Sequence, residues 1–505
     1  MQLNREEGVE RVEDPSQVQG SALPAGGTPR KEKHTMKHLH MGPANCSLDL
    51  GDGSERAEYV NQDYILHKLG RPHRGVNIMY TYYPNDKEWP ARISKYYKDK
   101  DISGAWDYPY DDYFPYGADG HPFDQMADIR KHGQEVLLTL TLDCGLSDEQ
   151  LREVARQLRP YGRMMIRINH ECCGSWFQHN KRYTYEQVGA FFVKFAGIIR
   201  EEAPNVHIIF CGGWGLENGR MEQEEAFKDC YAAADLWSCD TYLALHYGWP
   251  VDVAEPENVS RSWKADSVQK LVDQFTRTYK RACELADVSK PMVTCEFNTD
   301  GDVTGPRMQG ESVVRFAHYW RDNKIDWFKS ISMYQFRDRG RLGLEIEDPN
   351  NDAVGIEQPM LKQYRDEVLN DPWFMPKMEE GDEIAFPAQL RWGGSEDADG
   401  LAIPIDFEGT PEFCEMTVEQ NIGLMVELNG RWFYKTPGTQ TIDMMSAFFD
   451  KPLDGPCTLT MKLFAPPADG LNVNDGSVDW NINYRATLEE APKMRIRYQA
   501  PGVVG

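Results

Sequence analysis

The feature that most constrains the fold is an alternation of short apolar runs with amphipathic segments between residues 72 and 340. Most of the runs are apolar on consecutive residues, which is typical of parallel strands buried on both faces. The segments between them carry apolar residues at helical spacing, as in 148–158. We predict eight strands, at 75–83, 104–108, 135–142, 163–169, 206–213, 235–243, 291–297 and 326–336.

Eight strands alternating with helices over this length predict a (β/α)₈ barrel, or TIM barrel. The main alternative is a doubly wound open sheet. That fold more often places a glycine-rich phosphate-binding turn after its first strand, and the segment 80–86 is not such a turn. The barrel is therefore the favoured fold for this part of the chain.

The 505 residues are too many for one ordinary core, so further domains are expected. Residues 384–499 contain short alternating runs separated by Gly, Pro, Asn and Asp, which predicts a C-terminal antiparallel β-sandwich. The start of the chain is rich in Gly, Pro, Ser and charge and lacks apolar periodicity. We therefore predict a flexible N-terminal arm over 1–55, the barrel over 56–375 and the sandwich over 376–505.

The composition limits which partners, cofactors and cellular locations are expected for the protein. A net charge of −25 repels phosphate backbones, so no nucleic-acid partner is expected. The chain has no apolar run of about 18 residues, so no membrane span is expected. Its first residues contain no apolar signal segment, which indicates a cytoplasmic protein, or a secreted one if a leader was removed. No Cys-x-x-Cys pair occurs, and no metal or other cofactor is predicted.

Two glutamates lie where strands of the predicted barrel end. Glu171 follows the fourth run, and Glu296 ends the seventh. Because barrel enzymes place active residues at the carboxyl ends of their strands, both carboxylates should face one mouth. Hydrolysis of a glycosidic bond needs such a pair, and a separation of ~5 Å gives retention whereas ~6.5–9.5 Å gives inversion. The sequence therefore predicts Glu171 and Glu296 as the catalytic pair.

The segment RINHECCGSWF (167–177) resembles the acid/base motif of glycoside hydrolase family 26, a member of the clan A barrel hydrolases. VTCEF (293–297) is similar to the nucleophile motif on strand seven of that family. The resemblance implies that Glu171 is the acid/base and Glu296 the nucleophile, with Arg167, His170 and Tyr242 supporting them. The chain departs from the family at Ile168, Cys172-Cys173 and Asn298, so the resemblance is closer to the clan than to the family.

Loops that follow strands build the cleft of a barrel, so polar and aromatic residues there are candidate sugar contacts. For each residue, packing or local pairing is the alternative. For Arg337, which lies near Arg339 and Arg341, the alternatives are an acidic sugar and local neutralisation of Asp338 and Glu345. The predicted substrate-binding residues are Arg167, Asn169, His170, Trp176, Trp106, Asp107, Trp214, Tyr242, His246, Tyr334 and Arg337.

These features together predict a retaining glycoside hydrolase that acts on a β-linked glycan or oligosaccharide, with a carbohydrate as its partner. Two alternatives stay open. One is a non-catalytic carbohydrate-binding protein on a barrel scaffold, and the other is a polysaccharide lyase, which would release unsaturated ends that absorb ultraviolet light. The sandwich is interpreted either as a carbohydrate-binding module or as a domain that stabilises the barrel.

Overall fold

A computed structural model describes residues 35–52, 59–99, 121–174, 177–212, 221–247, 253–392, 398–465 and 485–498. Within these ranges, no helix combines the length and apolar character that a membrane crossing requires.

The strands, in chain order, are β1 (Lys37–Gly42), β2 (Ser47–Gly51), β3 (Gly75–Tyr82), β4 (Glu135–Leu142), β5 (Met164–Ile168), β6 (Val206–Cys211), β7 (Leu236–Ser238), β8 (Thr241–Tyr242), β9 (Leu245–His246), β10 (Val259–Arg261), β11 (Met292–Asn298), β12 (Phe328–Met333), β13 (Arg337–Asp338), β14 (Glu345–Asp348), β15 (Asn351–Glu357), β16 (Lys377–Glu383), β17 (Ala388–Trp392), β18 (Ala398–Phe407), β19 (Phe413–Thr417), β20 (Leu424–Leu428), β21 (Arg431–Lys435), β22 (Thr441–Asp443), β23 (Cys457–Phe464), β24 (Arg485–Leu488) and β25 (Lys493–Arg497).

The α-helices are α1 (Gln62–Leu69), α2 (Trp89–Asp99), α3 (His121–Lys131), α4 (Asp148–Gln157), α5 (Gln178–Arg182), α6 (Tyr185–Glu202), α7 (Met221–Ala233), α8 (Ser267–Ala286), α9 (Gly301–Thr304), α10 (Pro306–Asn323) and α11 (Pro359–Tyr364). Short 3₁₀ turns lie at Arg159–Tyr161 and Met445–Phe448, and a π-helical turn lies at Arg365–Leu369.

The central sheet is a closed barrel of parallel strands. Its order is β2, β3, β4, β5, β6, β7, β11 and β12, and β12 pairs back with β2 to close the ring. The short strand β8 continues the sixth position and pairs with the end of β11. Helices lie between most successive barrel strands, and together they bury one continuous apolar core. The predicted (β/α)₈ barrel is therefore confirmed.

The first of the eight barrel strands along the chain is β2, which was not among the predicted strands. The run predicted at 104–108 is not a barrel strand between β3 and β4. β3 pairs directly with β4 over eight residues, from Gly75 opposite Glu135 to Tyr82 opposite Leu142, which leaves no place for a strand between them. The run at 104–108 itself lies outside the described residues. The prediction missed β2 because Ser47 and Asp49 interrupt its apolar residues.

The predicted flexible arm over 1–55 is wrong for residues 37–51, because that part of the chain forms β1 and β2. Asp49 explains why a polar strand is stable in the barrel. Its carboxylate binds Arg74, with Nε donating at 2.9 Å, and also accepts a hydrogen bond from Ser330 on β12. A paired and hydrogen-bonded carboxylate can be buried, so the strand does not need to be uniformly apolar. Residues 1–34 lie outside the described ranges.

The helices begin and pack as their sequences indicate. Ser147 and Gln150 form a capping box at the start of α4, and Thr184 and Gln187 form one at the start of α6. These caps satisfy amide groups that have no partner in the first helical turn. On α6, a stripe of side chains at helical spacing faces the barrel, namely Val188, Phe192, Phe195 and Ile199.

The C-terminal region consists of two antiparallel sheets that enclose a second core, which confirms the predicted β-sandwich. The larger sheet has the order β16, β1, β18, β23, β20 and β21, with β17 paired to β18 and β24 paired to β17. The smaller sheet has the order β22, β19 and β25. Because β1 lies between β16 and β18, the start of the described chain is a central strand of the sandwich.

The sandwich packs against the end of the barrel at which the parallel strands begin. Trp432 donates its backbone N–H to the carbonyl of Gly70 at 2.8 Å, just before β3. Arg431 Nη2 donates to the carbonyl of His67 at 2.6 Å. Trp392 and Trp432 share an apolar cluster with Leu66 of the barrel and with Leu39 and Met41 of β1. These contacts are therefore at the end opposite the mouth where the strands finish.

Candidate active site

The site is built around Arg167, a fully buried arginine on β5. Its Nη2 donates to Glu296 Oε1 on β11 at 2.8 Å, and its Nη1 donates to Asp240 Oδ2 at 2.6 Å. Its Nε donates to Thr139 Oγ1 on β4 at 2.8 Å. Thr139 in turn donates to Asn77 Oδ1 on β3 at 2.9 Å. This chain of hydrogen bonds ties five barrel positions together below the carboxylate of Glu296.

Both oxygens of Glu296 are held in place. Tyr242 donates its hydroxyl to Oε2 at 2.9 Å, and His170 Nε2 lies 3.7 Å from Oε1, the oxygen that Arg167 binds. The ring of Tyr242 rests edge-on against Tyr334, with the ring centroids 5.8 Å apart. Glu296 is 6% exposed, so nearly all of the residue is buried. Hydrogen bonds to both oxygens fix the direction in which this carboxylate points.

Glu171 lies in the turn that follows β5, on the same side of the barrel as the end of β11. Asn169 and Glu171 both have positive φ, at 43° and 50°, so the chain turns sharply here. The N–H of Gly174 closes the turn by donating to the Glu171 carbonyl at 2.8 Å. Glu171 is partly exposed, in contrast to Glu296. The two predicted carboxylates thus differ in burial, as two groups with different tasks would.

The carboxylates of Asp240 and Glu296 share one guanidinium, that of Arg167, and this arrangement governs the pKa values in the site. Burial, together with the Glu296 carboxylate, raises the pKa of Asp240 to about 7, although Arg167 acts in the opposite direction. Burial and the nearby Arg167 hold the pKa of His170 well below its usual value, so His170 is neutral at physiological pH. Its Nδ1 has no hydrogen-bond partner among the described atoms.

Among the described residues, His170, Asp240 and Glu296 offer ligand atoms within 4.8 Å of one another, which is a spacing that could hold a metal ion. Arg167 already bridges the two carboxylates, however, at 2.6 and 2.8 Å. A guanidinium in that position supplies the positive charge and would repel a cation beside it. The donor set therefore fits an ion-pair cluster better than a metal centre.

Several residues predicted to bind substrate form hydrogen bonds or ion pairs within the protein. Asn169 uses both atoms of its amide on the backbone of Leu142, with Oδ1 accepting at 2.6 Å and Nδ2 donating at 3.2 Å. Arg337 donates from Nη2 to Glu345 at 2.9 Å in a buried ion pair. These positions favour the structural interpretation of Asn169 and Arg337 over a substrate contact.

His246 and Tyr334 are likewise buried. His246 is fully buried and its Nδ1 pairs with the carboxylate of Asp300. Tyr334 is 2% exposed beneath Tyr242. The remaining predicted contacts lie outside the described residues; they are Trp106, Asp107, Trp176 and Trp214.

The neighbouring thiols of Cys172 and Cys173 are free and buried. Burial, and then the adjacent thiol of Cys173, raise the pKa of Cys172 well above its usual value. A thiol that is not ionised is a poor nucleophile, so Cys172 packs as a small apolar side chain beside the site.

Sequence reasoning missed Asp240 and Thr139, which connect Arg167 to the rest of the barrel. A signal for Asp240 is present in the sequence, since it is a charged residue inside the buried run DLWSCDTYL, two positions before Tyr242. A charged side chain in a run of that kind needs a buried partner. Thr139 gives no such signal, because threonine is an ordinary strand residue.

The fold and the site define a (β/α)₈-barrel protein with two carboxylates. The hydrogen-bonded carboxylate of Glu296 is at the end of strand seven, and that of Glu171 comes after strand four.

No family profile matches the chain, and no curated protein matches it. Solved structures that resemble it include a family 39 glycoside hydrolase of Bacteroides cellulosilyticus, at 10% identity over 84% of this chain and 81% of the other, with a TM-score of 0.40.

Two further similar structures are an α-L-arabinofuranosidase of Thermotoga maritima and a family 26 β-mannanase of Bacteroides ovatus. The first has 10% identity over 84% of this chain and 97% of the other, with a TM-score of 0.41. The second has 11% identity over 65% of this chain and 89% of the other, with a TM-score of 0.37. Likenesses at this level carry no argument about function, which has to come from the site.

Proposed function

We propose that this protein is a retaining glycoside hydrolase that cleaves a β-linked glycan or oligosaccharide. The observation that carries the proposal is the carboxylate of Glu296, which is bound by Arg167 and Tyr242 at the barrel mouth while Glu171 lies on the turn after β5. Two carboxylates on strands four and seven are what a double displacement requires.

In the proposed reaction, Glu171 protonates the departing glycosidic oxygen while Glu296 attacks the anomeric carbon. The bond to the leaving group breaks as the ester bond between the sugar and Glu296 forms. Glu171, now a carboxylate, then removes a proton from water as the water oxygen displaces Glu296 and releases the sugar. The partial exposure of Glu171 supports this assignment, because the leaving group and the water both have to reach it.

The contacts of Glu296 support its role as nucleophile. Its two oxygens are fixed by partners on two other strands, Arg167 from β5 and Tyr242 from β8, so the carboxylate is positioned before substrate arrives. Positioning of a reacting group in advance removes an entropic part of the barrier. The buried, neutral His170 lies beside it, with Nε2 3.7 Å from Oε1 of Glu296.

The first test is a screen of β-linked mannans, xylans, glucans and galactans for the release of reducing ends. Glu171→Gln and Glu296→Gln are each expected to lower the rate by at least about 1,000-fold on the substrate that wild type cleaves, because each removes a group that acts in the transition state. Glu225→Gln, an exposed glutamate on α7, is the matched control and should keep full activity.

The same assay separates the alternatives. Ultraviolet-absorbing products would show a lyase, and saturable binding of a glycan without turnover would show a binding protein. Cleavage that survives both Glu171→Gln and Glu296→Gln would show that the catalytic pair is wrong.

The two roles are distinguished by azide rescue of alanine variants. With Glu296→Ala, azide fills the space of the missing nucleophile and should give an α-glycosyl azide from a β-linked substrate. With Glu171→Ala, azide attacks the glycosyl-enzyme from the other face and should give a β-glycosyl azide. The reversed products would exchange the two assignments.

A further inference from the structure

A small cavity lies between the barrel and the sandwich, at the end opposite the active site. Its volume is about 20 Å³, which is enough for one water-sized guest, since one water needs roughly 10–15 Å³. Its walls come from both parts of the molecule. The lining residues that matter here are Leu48 on β2, Arg71, His73 and Arg74 before β3, and Trp392 and Trp432 in the sandwich.

Arg71 brings an uncompensated positive charge to this cavity. It is 6% exposed, and its Nη1 donates to the carbonyl of Leu369 at 3.3 Å, while its Nε has no partner among the described atoms. Burial lowers the pKa of Arg71 to about 10, so the side chain is still a cation at neutral pH. A buried charge is costly unless it is paired.

The charged residues around Arg71 are already neutralised by other groups. Glu427, the carboxylate that acts most strongly on Arg71, binds Lys462 at 2.6 Å. Arg74, the other arginine of the cavity, is paired with Asp49. Among the described residues, Arg71 itself has no carboxylate within ion-pairing distance. One positive charge is therefore left over at the cavity wall.

The other unpartnered polar atoms of the cavity residues are suited to an anion. Trp392 Nε1 can only donate, is fully buried and has no partner among the described atoms. His73 Nε2 is paired with Tyr364 Oη at 2.8 Å, and its Nδ1 has no partner. When the Tyr364 hydroxyl is the donor in that pair, Nδ1 carries a proton and is a further donor. A water would need acceptors for its own two protons, whereas an anion needs only donors.

We propose that this cavity binds one small monovalent inorganic anion of the size of chloride, which neutralises Arg71 and joins the barrel to the sandwich. The ligand belongs to both parts of the fold, so its binding free energy contributes to the stability of the whole molecule. The site is independent of the glycan chemistry at the opposite end of the barrel.

The test is thermal unfolding of the full chain in sodium chloride and in sodium gluconate at equal ionic strength, since gluconate is too large for the cavity. Wild type should show a saturable rise in Tm with chloride, of about 2 °C at a hundredfold excess over Kd. Arg71→Met should lose the saturable rise. Arg307→Met, at an arginine whose side chain is 91% exposed, should keep it.

A second measurement on wild type keeps the proposal testable if Arg71→Met does not fold. Crystals grown in sodium bromide should show an anomalous peak between Arg71 and Trp392. Identical Tm values of wild type in the two salts, or a water at that position in bromide crystals, would overturn the proposal.

Discussion

One guanidinium faces two buried carboxylates in this site, and that charge count determines how the cluster responds to pH. Arg167 is paired with both Asp240 and Glu296. If both carboxylates are ionised, the buried cluster carries a net negative charge, which a medium of low polarity opposes. This is the physical reason that burial raises the pKa of Asp240 to about 7.

The consequence for stability can be tested with Asp240→Asn, which keeps an acceptor oxygen for Arg167. The folded pKa of Asp240 lies above its unfolded value of about 3.9, so the folded state binds more protons than the unfolded state between about pH 4 and pH 7. Wild type therefore loses stability through this group as pH rises across that window. Asn does not titrate, so the variant should gain on the order of 2 kcal/mol relative to wild type between about pH 5 and pH 8.

Urea unfolding of the two proteins at both pH values measures this difference directly. Because the other titrating groups are shared, they cancel in the comparison to the extent that they act independently of Asp240. A difference in unfolding free energy that stays constant with pH would mean that Asp240 is already ionised at the lower pH.

The sequence predicted that Glu171 and Glu296 lie at the barrel mouth. The alternation of apolar runs with helical segments locates the strand ends, and the carboxyl ends of all strands in a parallel barrel lie at one mouth. The hydrogen-bond and ion-pair partners of the polar residues could not be predicted from the sequence. Arg337 and Asn169 come soon after barrel strands, as a substrate-binding residue would, yet one binds Glu345 and the other the backbone of Leu142. Such pairs are fixed by packing in three dimensions, and spacing along the chain does not encode them.

At the scale of elements, Gly133 couples the loop before β4 to the sandwich. Its φ is 73°, and a Cβ added there would lie 2.0 Å from Cζ2 of Trp392. Gly133→Ala should therefore lower the free energy of unfolding by more than about 2 kcal/mol, because both the backbone and the tryptophan would be strained.

Gly197→Ala is the matched control for Gly133→Ala. Gly197 lies on the exposed side of α6, and a Cβ added there meets nothing within 4 Å. That substitution should raise stability by up to about 1 kcal/mol, because alanine has the higher helix propensity. Chemical unfolding measures the free energy of unfolding of both variants. Equal values for Gly133→Ala and Gly197→Ala would show that Trp392 does not pack on the loop before β4.

Strand prediction succeeded where strands buried along their whole length are largely apolar, as in β3, β4 and β11. It failed for β2, whose inward Asp49 is stabilised by Arg74 and Ser330. Ser330 comes from β12, which is 281 residues away along the chain. The number of barrel strands was right, but the identity of one strand depended on a contact between distant parts of the sequence.

For the whole molecule, the barrel and the sandwich depend on each other. β1 is a central strand of the sandwich, and β2, five residues after its end, is the strand that closes the barrel against β12. A fragment of residues 56–375 lacks β2 and would leave edges on β3 and β12 that have no backbone partners. It would also expose Leu66, which the sandwich covers. Unpaired strand edges and exposed apolar faces favour aggregation over folding.

We therefore expect the 56–375 fragment to be insoluble or to lack a cooperative thermal transition, whereas a chain of residues 35–498 should unfold in one transition. A third chain, residues 35–375, restores β2 but not the sandwich and separates the two effects. If it folds and 56–375 does not, barrel closure is what matters. If neither folds, the apolar interface around Trp392 and Trp432 is needed as well. A folded, monomeric 56–375 fragment would contradict the shared architecture, because a barrel without β2 could then close on its own.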